Sequence, residues 1–230
     1  MLLRNRIILI ESIEGSRLNW TQPRQNLLPL MRPALQHLKK DPVLAEIIRR
    51  VGPFTMEYRD PVFPNLVRSI VYQQLSGKVA SVIYGRLEAA AGDAGVTPEA
   101  IMKLRIERMR RLGLSGQKTI FIRELAKHTR RGSVDFDALA EMDDAGVIGH
   151  LTRVKGIGVW TAQMFLMFAL RRPDVLPAGD LGIRMAMKKA WDLPDLPKPA
   201  EMEIIAARWH PWTSVASWYL WRSLDGGAAL

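Results

Sequence analysis

An all-α fold is predicted, and three observations predict it. From Leu27 onward apolar residues recur at helical spacing almost throughout, prolines and glycines fall where helices would begin and end, and nothing reads as a convincing sheet. The 230 residues are 48% apolar, enough to build the core of one large domain or of two closely packed subdomains. About ten short helices are expected, with no fixed-period repeat and no low-complexity tract.

Residues 1–26 contain Gly15 and Pro23 and lack helical periodicity, so they read as an extension ahead of a domain spanning 27–230. Pro33 to Arg50 carries Leu35, Leu38, Leu44, Ile47 and Ile48, and Asp41-Pro42 divides it into two helices in the cap-then-proline manner. Pro61 to Pro64 reads as a turn, after which Asn65 starts an apolar helix through Leu66, Ile70, Val71 and Leu75. Ser76 opens a helix over Val79 to Ala91 that stops at Gly92. Thr97-Pro98-Glu99 is a further cap signature. Gly113-Leu114-Ser115 interrupts the next stretch and starts a helix bearing Ile120, Phe121, Leu125 and Ala126. Asp143-Asp144 caps the first helix of a hairpin over about 144–170, and the second, Val159 to Leu170, contains no charged residue and should be mostly buried. Leu181 to Trp191 and the tryptophan-rich segment after Pro211 complete the series.

Composition narrows the function classes. The formal net charge of +10 argues for a polyanionic partner. Its excess concentrates between Ile101 and Arg131, where ten basic residues face two acidic ones. A solvated helix face would show the same charge, and the two readings weigh about evenly. The absence of cysteine excludes disulfides, thiolate zinc sites, iron-sulfur clusters and a cysteine nucleophile, and it suits a reducing compartment. The four histidines are scattered without ligand spacing, so no metal site is expected. No segment approaches the ~20 apolar residues that span a bilayer. The apolar run Ile7 to Ile10 is shorter than the ~7 to 15 residues of a signal-peptide core. A cytoplasmic monomer with no membrane contact is expected, nucleoid-associated if bacterial.

The most informative run is Val154-Lys155-Gly156-Ile157-Gly158-Val159-Trp160-Thr161-Ala162. Two glycines around one aliphatic residue permit a turn that a Cβ would penalise, while Ile157 can plug the turn into the core. The turn opens a helix, whose free amides and dipole make a seat for an anion such as a DNA phosphate. Asp180 follows Gly158 by twenty-two residues. On its own it reads as a helix N-cap. The helix after the hairpin rises ~18 Å, however, and the ten-residue return can span up to ~33 Å. The loop can therefore bring the carboxylate back beside the hairpin.

At this point the chain resembles the helix-hairpin-helix DNA glycosylase superfamily, and within it the DNA-3-methyladenine glycosylase II family. The likeness covers about residues 27–225. It rests on Phe63-Pro64-Asn65-Leu66 through Gln73-Gln74-Leu75-Ser76, Gly113-Leu114-Ser115 with Lys118, the hairpin Val154 to Ala162, Leu176-Pro177-Ala178-Gly179-Asp180, and Trp209 to Trp221. The resemblance implies two helical subdomains flanking a cleft and a nucleotide flipped out of damaged double-stranded DNA. It implies Asp180 as the catalytic carboxylate, Trp160, Trp221, Tyr72 and Met164 lining the base pocket, and Gln74 as the plug that fills the vacated stack. For the plug, many relatives use an apolar wedge, and Leu75 is the neighbouring register. Lys155, Gly156, Gly158, Ser115 and Lys118 would hold phosphates, with Lys155 alternatively only solvated. Met164 stands where a relative has an aromatic residue, which bears on pocket shape.

The chemistry also follows from the residues. An N3-alkylated adenine or N7-alkylated guanine is already cationic and can depart without the second carboxyl group of ordinary glycoside hydrolysis. One carboxylate, Asp180, then suffices to stabilise the sugar cation and to orient water. An indole face attracts a cationic purine by ~0.5 to 2 kcal/mol, although core packing is the default for an isolated tryptophan, as for Trp209 and Trp212. Bifunctional superfamily members carry a Schiff-base lysine where this chain has Trp160, so the resemblance implies a monofunctional hydrolase that leaves an abasic site uncut. No cofactor is expected to be required, and the hairpin carbonyls leave room for a monovalent or divalent cation. Two rivals stay open: a glycosylase for an etheno or deaminated purine, and a non-catalytic helix-hairpin-helix DNA-binding module, which would need no Asp180.

Overall fold

The computed structural model describes residues 27–75 and 77–224. The chain divides into two compact units, Met1–Pro33 and Ala34–Leu230. In the first, residues 27–33 are described and are helical. The extension expected over residues 1–26, and Ser76 as a helix opener, lie outside the described residues.

Among the described residues the structure is all-α, with thirteen α-helices and one 3-10 turn. Helices α1 (Leu27–Leu38) and α2 (Pro42–Val51) are parted at Asp41, whose Oδ1 accepts from the amides of Val43 and Leu44 at 2.9 and 3.3 Å. Helix α2 buries Leu44, Ile47 and Ile48 on one side and exposes Glu46, Arg49 and Arg50 on the other, as helical spacing requires. Helix α3 (Phe63–Tyr72) begins two residues before the expected Asn65, because Pro64 is tolerated in a first turn and Phe63 is buried there. Helix α4 (Gly77–Ala91) ends at Gly92 with φ +77°. The basic stretch forms three helices, α5 (Pro98–Lys103), α6 (Ile106–Arg111) and α7 (Gly116–Arg130): the extended Leu104 and Arg105 part the first two, and Gly113, at φ +106°, precedes the third. Then come α8 (Phe136–Glu141), α9 (Asp144–Leu151), α10 (Val159–Phe168), α11 (Leu181–Ala190), α12 (Pro199–Ala206), the 3-10 turn Ala207–Trp209 and α13 (Thr213–Leu224). Splitting of the basic stretch and the unexpected α12, opened by Pro199 in its first turn, carry the count past ten.

Two groups of helices make the larger unit. In one, α3 packs against α4, α7 and α10, with α5 and α6 against α7 and α9 against α10. In the other, α13 packs against α2 and α11. Helix α13 is buried continuously from Thr213 to Leu220 and forms the centre of that group. Segments 52–62 and 169–180 pass between the groups and are pinned at the crossing: Arg59 N donates to Phe168 O at 2.8 Å, and Tyr219 Oη to Gly52 O at 3.1 Å. Asp180 ends the second crossing. No described helix is long and apolar enough to cross a membrane.

Candidate active site

The hairpin joins α9 to α10. Gly156 has φ +95°, and a Cβ there would lie 2.0 Å from the Phe121 ring of α7, so both backbone and space demand glycine. Gly158 differs from expectation: its φ is −91°, and a Cβ on it would meet nothing within 4 Å. Its value lies in presenting bare backbone. Gly158 caps α10 without any side-chain hydrogen bond, so the first-turn amides of that helix stay available to an outside acceptor. Ile157 is 3% exposed and plugs the turn into the core, while Lys155 is exposed beside it.

Asp180 is the N-cap of α11, and its Oδ1 accepts from Ile183 N at 2.9 Å. It is also more than a cap. Trp221 Nε1 donates to the same oxygen at 2.8 Å, and Trp160 Nε1 donates to Oδ2 at 2.7 Å. The return loop thus brings the carboxylate to the first turn of the hairpin helix, as chain length allows. Its placement is enforced along the whole return. Arg172 donates to the carbonyls of Ala140 and Met142 at 3.0 and 2.6 Å and pairs with Asp144 at 3.5 Å. Asp174 accepts from Thr213 N and Oγ1 and meets His210 at 2.8 Å. Ser214 Oγ accepts from Val175 N and donates to Arg172 O. Burial holds the Asp144 carboxyl above its usual value in spite of Arg172.

The two tryptophans meet the carboxylate by their N–H edges, a relation that reasoning from indole faces overlooks. Trp221 also stacks on Phe168, centroids 6.0 Å apart at 22°. Trp160 is 38% exposed and forms the outer side of the site. Gly182 was not singled out by any motif. A Cβ on it would stand 3.0 Å from Asp180 Oδ1 and 3.1 Å from Trp221, so its bareness lets the indole reach the acid. Trp209 and Trp212 are buried in the core, as expected.

Other expected site residues sit differently. Tyr72, assigned to the pocket, has its hydroxyl engaged by Arg68, whose guanidinium lies 4.3 Å over the ring. One face of the ring thus already serves a cation of the protein itself. Met164 is 9% exposed and lies within the buried side of α10. Lys118, expected on phosphate, is turned inward: its ammonium donates to Val71 O and Gln73 O at 2.7 and 2.5 Å, and burial lowers its pKa. Ser115 caps α7, accepting from Lys118 N at 3.2 Å. Arg123 likewise donates to Leu104 O at 2.7 Å, so part of the basic stretch holds the fold together. Gln74 is exposed at the α3–α4 turn with φ +56°, next to the exposed Leu75. Among the described residues no group of three or more His, Asp or Glu is arranged to hold a metal ion.

Fold and site together define a helix-hairpin-helix protein in which an anchored carboxylate faces the hairpin's second helix. The model for the HhH-GPD superfamily base excision DNA repair protein matches residues 67–211. The protein named DNA-3-methyladenine glycosylase 1 of Schizosaccharomyces pombe is 33% identical over 183 residues, 77% of this chain and 80% of that one. A putative DNA-3-methyladenine glycosylase of Bacillus subtilis is 31% identical over 83% of this chain and 68% of its own. The solved structure of the S. pombe 3-methyladenine DNA glycosylase in complex with abasic DNA superposes with a TM-score of 0.78 at 30% identity, over 86% of this chain and all of that one. The chain belongs to the HhH-GPD superfamily of base excision DNA repair proteins and, within it, to the DNA-3-methyladenine glycosylase family.

Proposed function

We propose that this protein is a monofunctional DNA glycosylase that flips an alkylated purine out of duplex DNA, hydrolyses its N-glycosidic bond and leaves an abasic site. The observation that carries this reading is the Asp180 carboxylate, held by three N–H donors from α10, α11 and α13 next to a helix start that no side chain caps. The family membership and the DNA complex of the S. pombe relative support it.

The two carboxylate oxygens are unequally engaged. Each can accept about two hydrogen bonds. Oδ1 receives Ile183 N and Trp221 Nε1, whereas Trp160 is the side-chain donor to Oδ2. Oδ2 therefore keeps acceptor capacity for a water molecule. When the bond between sugar C1′ and the purine nitrogen breaks, its electron pair neutralises the cationic base. Positive charge develops on the sugar, and a preorganised anion stabilises it. The water held at Oδ2 adds to C1′ and gives its proton to the carboxylate, which passes it to solvent. Trp160 occupies the position of the bifunctional enzymes' Schiff-base lysine, and an indole cannot form that adduct. Water alone completes the reaction, so release should persist in a chelator, with any cation at the hairpin carbonyls affecting DNA affinity only. We infer that the protein acts as a monomer in the compartment that holds the DNA.

The test is chromatography of free bases after incubation with methylated duplex. Wild type should release alkylated purine, and Asp180→Asn should lose about 100-fold or more in single-turnover rate while still binding abasic duplex. Binding without release by the wild type would instead mark a non-catalytic module.

A further inference from the structure

The α3–α4 turn carries the exposed Gln74, but its neighbour Gln73 is the better connected residue. The Gln73 amide spends both N–H bonds on the hairpin, donating to Gly156 O and to Thr161 Oγ1, each at 3.1 Å. Orientation of the amide follows from chemistry, because the Gly156 carbonyl can only accept. Thr161 is 2% exposed in the first turn of α10, so the two bonds grip the hairpin on both sides of its apex.

A second arm reaches the same turn. Lys118 on α7 donates to Val71 O and to Gln73 O, tying the last turn of α3 to the backbone that follows it. Three residues further along α7, on the same face, Phe121 lies against Gly156 so closely that a Cβ there would stand 2.0 Å from its ring. One helix face thus backs both the turn and the hairpin. Gln74 itself holds φ +56°, a conformation that a side chain keeps when its surroundings enforce it.

We propose that Gln73, backed by Lys118, is a positioning residue that couples the exposed turn at Gln74 to the phosphate-binding hairpin, so that gripping the strand and filling the vacated stack occur as one event. This rests on the base-flipping reading above. Phosphate contacts are gained before the base leaves the stack, and a rigid link lets them favour extrusion only if the turn advances with the hairpin. Without the link the hairpin still binds, and the Gln74 turn no longer follows it.

The test compares a lesion that must be extruded with one already outside the stack, since flipping costs least for an unpaired base. Gln73→Ala should slow single-turnover release from a paired lesion by about 10-fold yet change release from the same lesion in a bulge by less than about 2-fold. Amide hydrogen exchange in the free protein should accelerate together in residues 73–75 and 154–158. Thr161→Val removes one of the two acceptors at nearly constant shape and should show the same split at smaller size, which keeps the idea testable if Gln73→Ala folds poorly. Equal losses on both substrates, or unchanged exchange in both segments, would overturn the coupling. If wild type releases no base at all, the glycosylase reading fails, and hydrogen exchange still decides whether the clamp exists.

Discussion

Gly156 and Gly158 stand two residues apart and answer to different constraints. Gly156 is left-handed and pressed against Phe121, whereas Gly158 has an ordinary backbone and open space around it. Gly156→Ala forces a side chain into an unfavourable φ, about 1–2 kcal/mol, and into the Phe121 ring, about 1–3 kcal/mol more. Its melting temperature should fall clearly and its duplex affinity with it. Gly158→Ala should melt like wild type yet bind duplex more weakly, because the added methyl stands where a phosphate must approach. Paired thermal melts and fluorescence anisotropy check both, and matching behaviour of the two variants would refute the distinction. The GxG pattern is visible in the sequence, but which glycine is needed for folding depends on Phe121, thirty-five residues away in the chain.

At the scale of elements, the return from α10 to α11 is the structure that turns an N-cap aspartate into a site. Its path is set by Arg172 on the α8–α9 carbonyls and by Asp174 and the Val175 amide on the start of α13. Arg172→Met keeps much of the side-chain bulk but removes two hydrogen bonds and an ion pair, leaving Ala140 O and Met142 O to water. Each lost bond weakens the loop by about 1 kcal/mol. Single-turnover base release should fall by about 10-fold, while affinity for abasic duplex changes little because the hairpin is untouched. Parallel loss of affinity would mean that the loop supports the hairpin as well. The reach of this loop could be estimated from residue counts. Its anchors could not, since they are side-chain contacts to groups 30 to 39 residues away along the chain.

Across the whole molecule, the second helical group depends on α13, and Tyr219 joins α13 to the end of α2 through Gly52. Burial pushes the Tyr219 hydroxyl up to about 12 from its ordinary 10.0. The folded protein therefore holds this proton more tightly than the unfolded chain, and the associated stability is fully present below pH 10 and lost as pH rises toward 12. Tyr219→Phe should lower stability at neutral pH through the missing bond to Gly52, and its melting temperature should decline less steeply than that of wild type between pH 10 and 12. Parallel declines would clear Tyr219 of the alkaline sensitivity. Most of the helices, the caps at Asp41, Thr97, Asp143 and Asp180, and the hairpin were readable in the sequence, because periodicity, proline and glycine placement and short-range hydrogen bonds act within a few residues. So was Asp180 as the acid to watch. The inward turn of Lys118, the capture of Tyr72 by Arg68, the indole edges on Asp180 and the Gln73 link to the hairpin were decided by tertiary structure alone. Each joins groups far apart in sequence, and a polar side chain's partner is chosen by which donors and acceptors the packed helices bring within about 3 Å, a distance that no local pattern encodes.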